Sequence, residues 1–116
     1  MPALLVALVV STLAIGDPPP KKEYKGKPAA RMVHYTGDVQ GVGFRATAER
    51  IARDYPVTGW VKNLADGRVQ LVAEGPEDEV LKFLKAIRNH WKKNIEKEQV
   101  EEQPAGGKYT KFEVAY

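Results

Sequence analysis

The chain has no cysteine and only two histidines in 116 residues. A disulfide framework, a thiolate metal site and a cysteine nucleophile are therefore excluded, and with no carboxylate cluster beside either histidine no catalytic metal is expected. Stability has to come from an apolar core, which a domain of this length can build. Charge is missing in two places. The first sixteen residues carry no charged side chain, and residues 32–116 carry no net charge, holding 13 basic and 13 acidic side chains. The formal net charge of +3 resides in residues 17–31, where Lys21, Lys22, Lys25, Lys27 and Arg31 outnumber Asp17 and Glu23. The larger part thus lacks the basic field that steers proteins along nucleic acid, and no nucleic-acid partner is expected. A long hydrophobic run is also absent. Ala3 to Ile15 is thirteen apolar or small residues, too short to cross a bilayer comfortably.

What is present divides the chain into three. Residues 1–16 read as a signal peptide, with Ala14 and Gly16 supplying the small residues ahead of a cut before Asp17. Export to the periplasm or the medium is the corresponding expectation; the alternative is a cytoplasmic product whose translation starts at Met32. Residues 17–30 are rich in proline and lysine and read as an extended linker. Residues 31–116 have the length of one domain.

Within that domain two hydrophobic periods alternate. Val33 and Tyr35 alternate with polar neighbours as in a strand, and Phe44, Ala48, Ile51, Ala52 and Tyr55 fall on one helical face before Pro56. Val57–Leu64 and Arg68–Ala73 form two strands joined by Ala65-Asp66-Gly67, a hairpin. Pro76 opens a second helix with Glu77, Asp78 and Glu79 at its positive end. Its apolar face is Val80, Phe83, Leu84, Ile87 and Trp91. Residues 95–103 read as a polar strand and residues 112–116 as a last one. The order β-α-β-β-α-β plus a C-terminal strand is that of an α+β, ferredoxin-like split β-α-β sandwich: a two-layer fold with an antiparallel or mixed sheet and two helices on one face.

Between the first strand and the first helix runs Gly37-Asp38-Val39-Gln40-Gly41-Val42-Gly43-Phe44-Arg45. A glycine-rich turn lets successive backbone N–H groups converge, and a helix start adds unsatisfied donors at the positive end of a dipole. Arg45, in the first helical turn, adds a planar fork suited to two oxygens of a phosphate. Taken alone, such a loop is either a phosphate cradle or simply a tight connection. It has neither the Gly-Lys-Ser/Thr of the nucleotide P-loop nor the dinucleotide spacing. Asn63, just before the hairpin turn, offers an acceptor and a donor that suit either a turn or the holding of a water molecule.

Val39-Gln40-Gly41-Val42-Gly43-Phe44-Arg45 resembles the first signature of the acylphosphatase family. Gly59-Trp60-Val61-Lys62-Asn63-Leu64-Ala65-Asp66-Gly67-Arg68-Val69, followed by Gly75, resembles its second, and the Gly75-Pro76-Glu77 helix entry and Tyr116 are similar as well. The resemblance covers residues 31–116. It implies hydrolysis of the carboxyl–phosphate bond of acyl phosphates by water, with no metal or cofactor. Arg45 would bind phosphate, Asn63 would position water, and the backbone N–H groups of Gln40, Gly41, Val42, Gly43 and Phe44 would complete the cradle. An acyl phosphate carries a good leaving group, so positioning and charge stabilisation suffice, and the water's proton is expected to pass to the substrate phosphate.

His34 and His90 are expected at the surface, Asp38 and Asp66 in turns, and Phe44 and Trp60 in the core. The rival to an enzyme is a non-catalytic module on the same scaffold, binding RNA or an acyl or carbamoyl phosphate. The third strand reads Gly67-Arg68-Val69-Gln70-Leu71-Val72, without the aromatics of RNA-recognition domains, and the length leads us to expect no second catalytic domain. A monomer with no stable membrane span is expected.

Overall fold

The protein was analysed as a computed structural model that describes residues 26–116. The signal-peptide assignment and most of the linker lie outside the described residues. The elements are β1 (Pro28–Gly37), α1 (Phe44–Ala52), β2 (Thr58–Asn63), β3 (Val69–Pro76), α2 (Glu77–His90), β4 (Ile95–Gln103) and β5 (Phe112–Val114). They form one five-stranded sheet in the order β4-β1-β3-β2-β5. Neighbours are antiparallel except β2 and β5, which run parallel. Both helices pack on one face, α1 against β2 and β5 and α2 against β1 and β3. This is the α+β sandwich expected from the alternating periods. None of the helices described is long and apolar enough to cross a membrane.

The alternation of each strand decides what enters the core. Val33 and Tyr35 of β1, Val61 of β2, and Val69, Leu71 and Ala73 of β3 are buried toward the helices. They meet Phe44, Ala48 and Ala52 of α1 and Val80, Phe83, Leu84 and Ile87 of α2. Burying a large aliphatic or aromatic side chain contributes about 1.5–3 kcal/mol, and these faces are the main source of cohesion. Helix α2 also matches its own dipole, with Glu77, Asp78 and Glu79 in the first turn and Arg88 and His90 in the last.

Two expectations need correction. Residues 28–30, read as the end of the linker, are the first three residues of β1, and Ala29 and Ala30 are buried. Their pairing with Gly75 and Glu74 of β3 makes them a strand, although they carry no apolar alternation. Arg31, the first residue of the expected domain, is tied into the fold. It is 9% exposed, its Nη1 donates to the Ala30 carbonyl at 3.1 Å, and Nη2 lies 3.3 Å from Glu77 Oε2 and 3.4 Å from Glu102 Oε1. Trp60 is half-buried on the sheet face away from the helices, because Gly59 and Val61 take the inward positions of β2.

That outer face is partly covered. The connection from β4 to β5 joins opposite edges of the sheet and crosses it. The Gly107 N–H donates to Glu74 Oε1 at 2.6 Å, and Trp60 Nε1 donates to the Tyr109 hydroxyl at 3.2 Å. Beneath this crossing segment Val72 and Glu74 are buried.

Candidate active site

The loop between β1 and α1 is held at both ends. At its start the Asp38 N–H donates to the Asn94 carbonyl at 3.0 Å, and Asn94 Nδ2 donates back to the Asp38 carbonyl at 3.0 Å. Val39, 1% exposed, is anchored in the core. At its far end Phe44 lies between Tyr35 (ring centres 5.0 Å apart) and Trp91 (stacked, 5.3 Å). The Thr47 N–H closes the first helical turn on the Gly43 carbonyl at 3.0 Å.

Between these anchors the chain turns on Gly41 (φ 76°) and Gly43 (φ 88°). A Cβ at either would meet nothing within 4 Å, so these glycines answer to the left-handed backbone and not to crowding. Gly43 caps α1 without a side-chain hydrogen bond, and the first turn has no acidic residue. The backbone N–H groups from Gln40 to Ala46 consequently have no acceptor among the described residues. Unsatisfied donors and a positive dipole end are what an oxyanion binds.

Gly41, Gly43, Phe44, Arg45, Ala46, Val39, Asn63, Val114 and Tyr116 line one pocket of about 180 Å³. The structure thus brings Gly41, Gly43, Phe44, Arg45 and Asn63 together. Arg45 is half-buried and has no carboxylate partner among the described residues; its guanidinium carbon lies 5.0 Å from the centre of the Tyr116 ring. Asn63 ends β2, and its Oδ1 is buried with no hydrogen-bond partner.

Two of the residues anticipated from sequence behave differently. Val42 sits at the loop crown, 36% exposed, and does not line the pocket. The Gln40 side chain turns away from it, its Nε2 donating to the carbonyls of Leu64 (2.8 Å) and Arg68 (2.9 Å) in the β2–β3 hairpin. The wall supplied by Val114 went unread because a three-residue strand has too little periodicity to place it beside a loop far away in sequence. His34 lies on the outer sheet face and His90 at the exposed end of α2, edge-on to Trp91 at 4.8 Å; neither lines the pocket. Asp66 is a turn residue. Its carboxylate accepts the Arg68 backbone N–H at 3.1 Å and Nε at 2.9 Å, and the backbone bond holds its pKa below the ordinary carboxylate value.

The family model described as Acylphosphatase matches residues 31–114. The chain belongs to the acylphosphatase family. An acylphosphatase of Archaeoglobus fulgidus is 40% identical over 91 residues, covering 75% of this chain and 98% of the relative. The crystal structure of acylphosphatase from Bacillus subtilis is 32% identical and superimposes with a TM-score of 0.68, over 76% of this chain and 99% of that one. The same fold recurs within a far larger protein: full-length HypF in its phosphate- and nucleotide-bound form matches at 27% identity and a TM-score of 0.62, over 82% of this chain and 13% of HypF. The matched part spans nearly the whole of these two acylphosphatases and about three quarters of this chain.

Proposed function

We propose that this acylphosphatase splits acyl phosphates by direct attack of water on phosphorus, with Arg45 and the loop N–H groups holding the phosphoryl group and Asn63 holding the water. The placing of Asn63 on the wall of the same pocket as Gly41, Gly43 and Arg45 carries this reading. A side-chain amide on that wall can hold a water molecule by a hydrogen bond and turn its lone pair toward phosphorus. A new P–O bond forms, the P–O bond to the acyl oxygen breaks, and the carboxylate departs with the bonding pair. One hydrogen of the water stays on the attacking oxygen and the other passes to a phosphoryl oxygen, so the products are a carboxylate and dihydrogen phosphate, which releases a proton to the solvent near neutral pH. Charge on the phosphoryl oxygens is met by donors already in place, so little reorganisation is required. No titratable side chain is assigned as a base.

Hydrolysis of an aromatic acyl phosphate in excess chelator, followed by loss of ultraviolet absorbance, tests the reading. Asn63→Ala is expected to lose turnover by roughly a hundredfold or more and to retain competitive inhibition by inorganic phosphate. Arg45→Ala is expected to lose both. Turnover within a few-fold of native in either variant would overturn that residue's role, and a folded native protein that binds phosphate without turnover would favour the non-catalytic module. Export is a separate proposal resting on residues 1–16, checked by finding Asp17 at the N-terminus of exported protein.

A further inference from the structure

We propose that the Gln40 side chain is a positioning residue that sets the gap between the phosphate loop and Asn63, an inference that rests on the roles just given to those two parts. Among the described residues the loop's other anchors make no hydrogen bond to β2 or its hairpin. Asp38 is tied to Asn94, Val39 is seated in the core, and Phe44 is held between Tyr35 and Trp91. Among the described residues the side-chain tie from the loop to the β2–β3 hairpin is Gln40 Nε2, bonded to both Leu64 O and Arg68 O. Leu64 directly follows Asn63. Its own N–H donates to the Arg68 carbonyl at 2.8 Å, so Gln40 grips the pair of residues that closes the hairpin.

The chemistry of the side chain suits that task. One amide nitrogen carries two N–H donors, and two carbonyls face it. A glutamate of equal length offers only acceptors when ionised, an asparagine is one methylene short, and an alanine offers nothing. The backbone N–H of residue 40 survives every one of these changes. Loss of the side chain therefore leaves the cradle intact and lets Asn63 drift relative to phosphorus, and displacements on the scale of an ångström cost about a hundredfold in rate.

The test separates this from a contribution to stability alone. Gln40→Ala is expected to lower kcat for an acyl phosphate by roughly ten- to hundredfold and to leave the inhibition constant of inorganic phosphate within about twofold. In Gln40→Glu the two facing carbonyls disfavour the ionised carboxyl and hold its pKa above the ordinary value of about 4.3. Its kcat relative to native should therefore recover as pH falls from 7 toward 5, where the neutral carboxyl donates one hydrogen bond, while the Gln40→Ala ratio stays flat. A native-like kcat in Gln40→Ala, a phosphate constant that moves in proportion to kcat, or a pH-independent Gln40→Glu ratio would each overturn the proposal. A second measurement needs no turnover: in amide NMR spectra of Gln40→Ala the Asn63 and Leu64 resonances should move and those of Arg45 and Ala46 stay. Unmoved Asn63 and Leu64 resonances would overturn the strap, whereas absence of hydrolysis by the native protein would overturn the catalytic reading instead.

Discussion

Single side chains in this protein are informative where they are left without partners. Asn63 Oδ1 is buried and unbonded, and so is the Tyr35 hydroxyl, deeper in the core beneath the loop. Burial, reinforced by the neighbouring Glu98 carboxylate, pushes the Tyr35 phenol well above its ordinary range. The unfolded chain releases that proton near pH 10 while the folded chain retains it, so the contribution to stability is full below about pH 10 and declines as pH rises further. Tyr35→Phe removes the difference. Denaturant midpoints measured from pH 9 to 11 should fall more steeply for the native protein than for the variant, and equal slopes would contradict the assignment. At this scale the sequence was partly legible. Residue type and spacing singled out Arg45, Asn63 and the loop glycines but left each open between a structural and a functional role, which only the family resemblance supplied. The double bond of Gln40 to Leu64 and Arg68 was not, because a glutamine in a loop carries no signal of what tertiary packing will set opposite it.

The elements themselves were legible wherever an apolar period had something to pack against. Both helices and the hairpin show their buried faces directly in the spacing of Phe44, Ala48, Ala52 and of Val80, Phe83, Leu84, Ile87. The start of β1 was hidden, since Pro28-Ala29-Ala30 has strand character only through its partners on β3. Trp60 was misplaced by treating an aromatic residue as core without following the alternation of β2. The turn from loop into α1 depends on backbone shape more than on any side chain. Gly43→Ala should cost about 1–2 kcal/mol in stability through the left-handed backbone. It should also weaken phosphate inhibition, because relaxing φ turns the helix-start donors away from their common focus. Calorimetry and an inhibition series check the two parts; a native-like phosphate constant in the variant would show that the donors are not the anion's partners.

Across the whole molecule, cohesion depends on residues that join distant parts of the chain. Arg31 links β1 to the start of α2 through Glu77 and to the end of β4 through Glu102. A chain beginning at Met32 would lack Arg31 and the buried Ala29 and Ala30. Its melting temperature should lie at least about 5 °C below that of a chain beginning at Lys27, as measured by calorimetry on both; equal values would show that the first residues of β1 add nothing. Such a result also bears on the Met32 start considered from sequence.

The strand β5 has a consequence in time. It is three residues long, lies at the sheet edge, and is held by few bonds, among them Gly59 N–H to Lys111 O at 3.0 Å, Ala115 N–H to Val61 O at 2.8 Å and Val114 N–H to Glu49 Oε2 at 3.3 Å. Short edge strands open at far lower free energy than central ones. Yet Val114 and Tyr116 line the candidate site pocket. The loop side of the pocket follows the inner strand β1 and the opposite wall the edge strand β5, so hydrogen exchange is expected to be faster at Val114 than at Val33 and Tyr35.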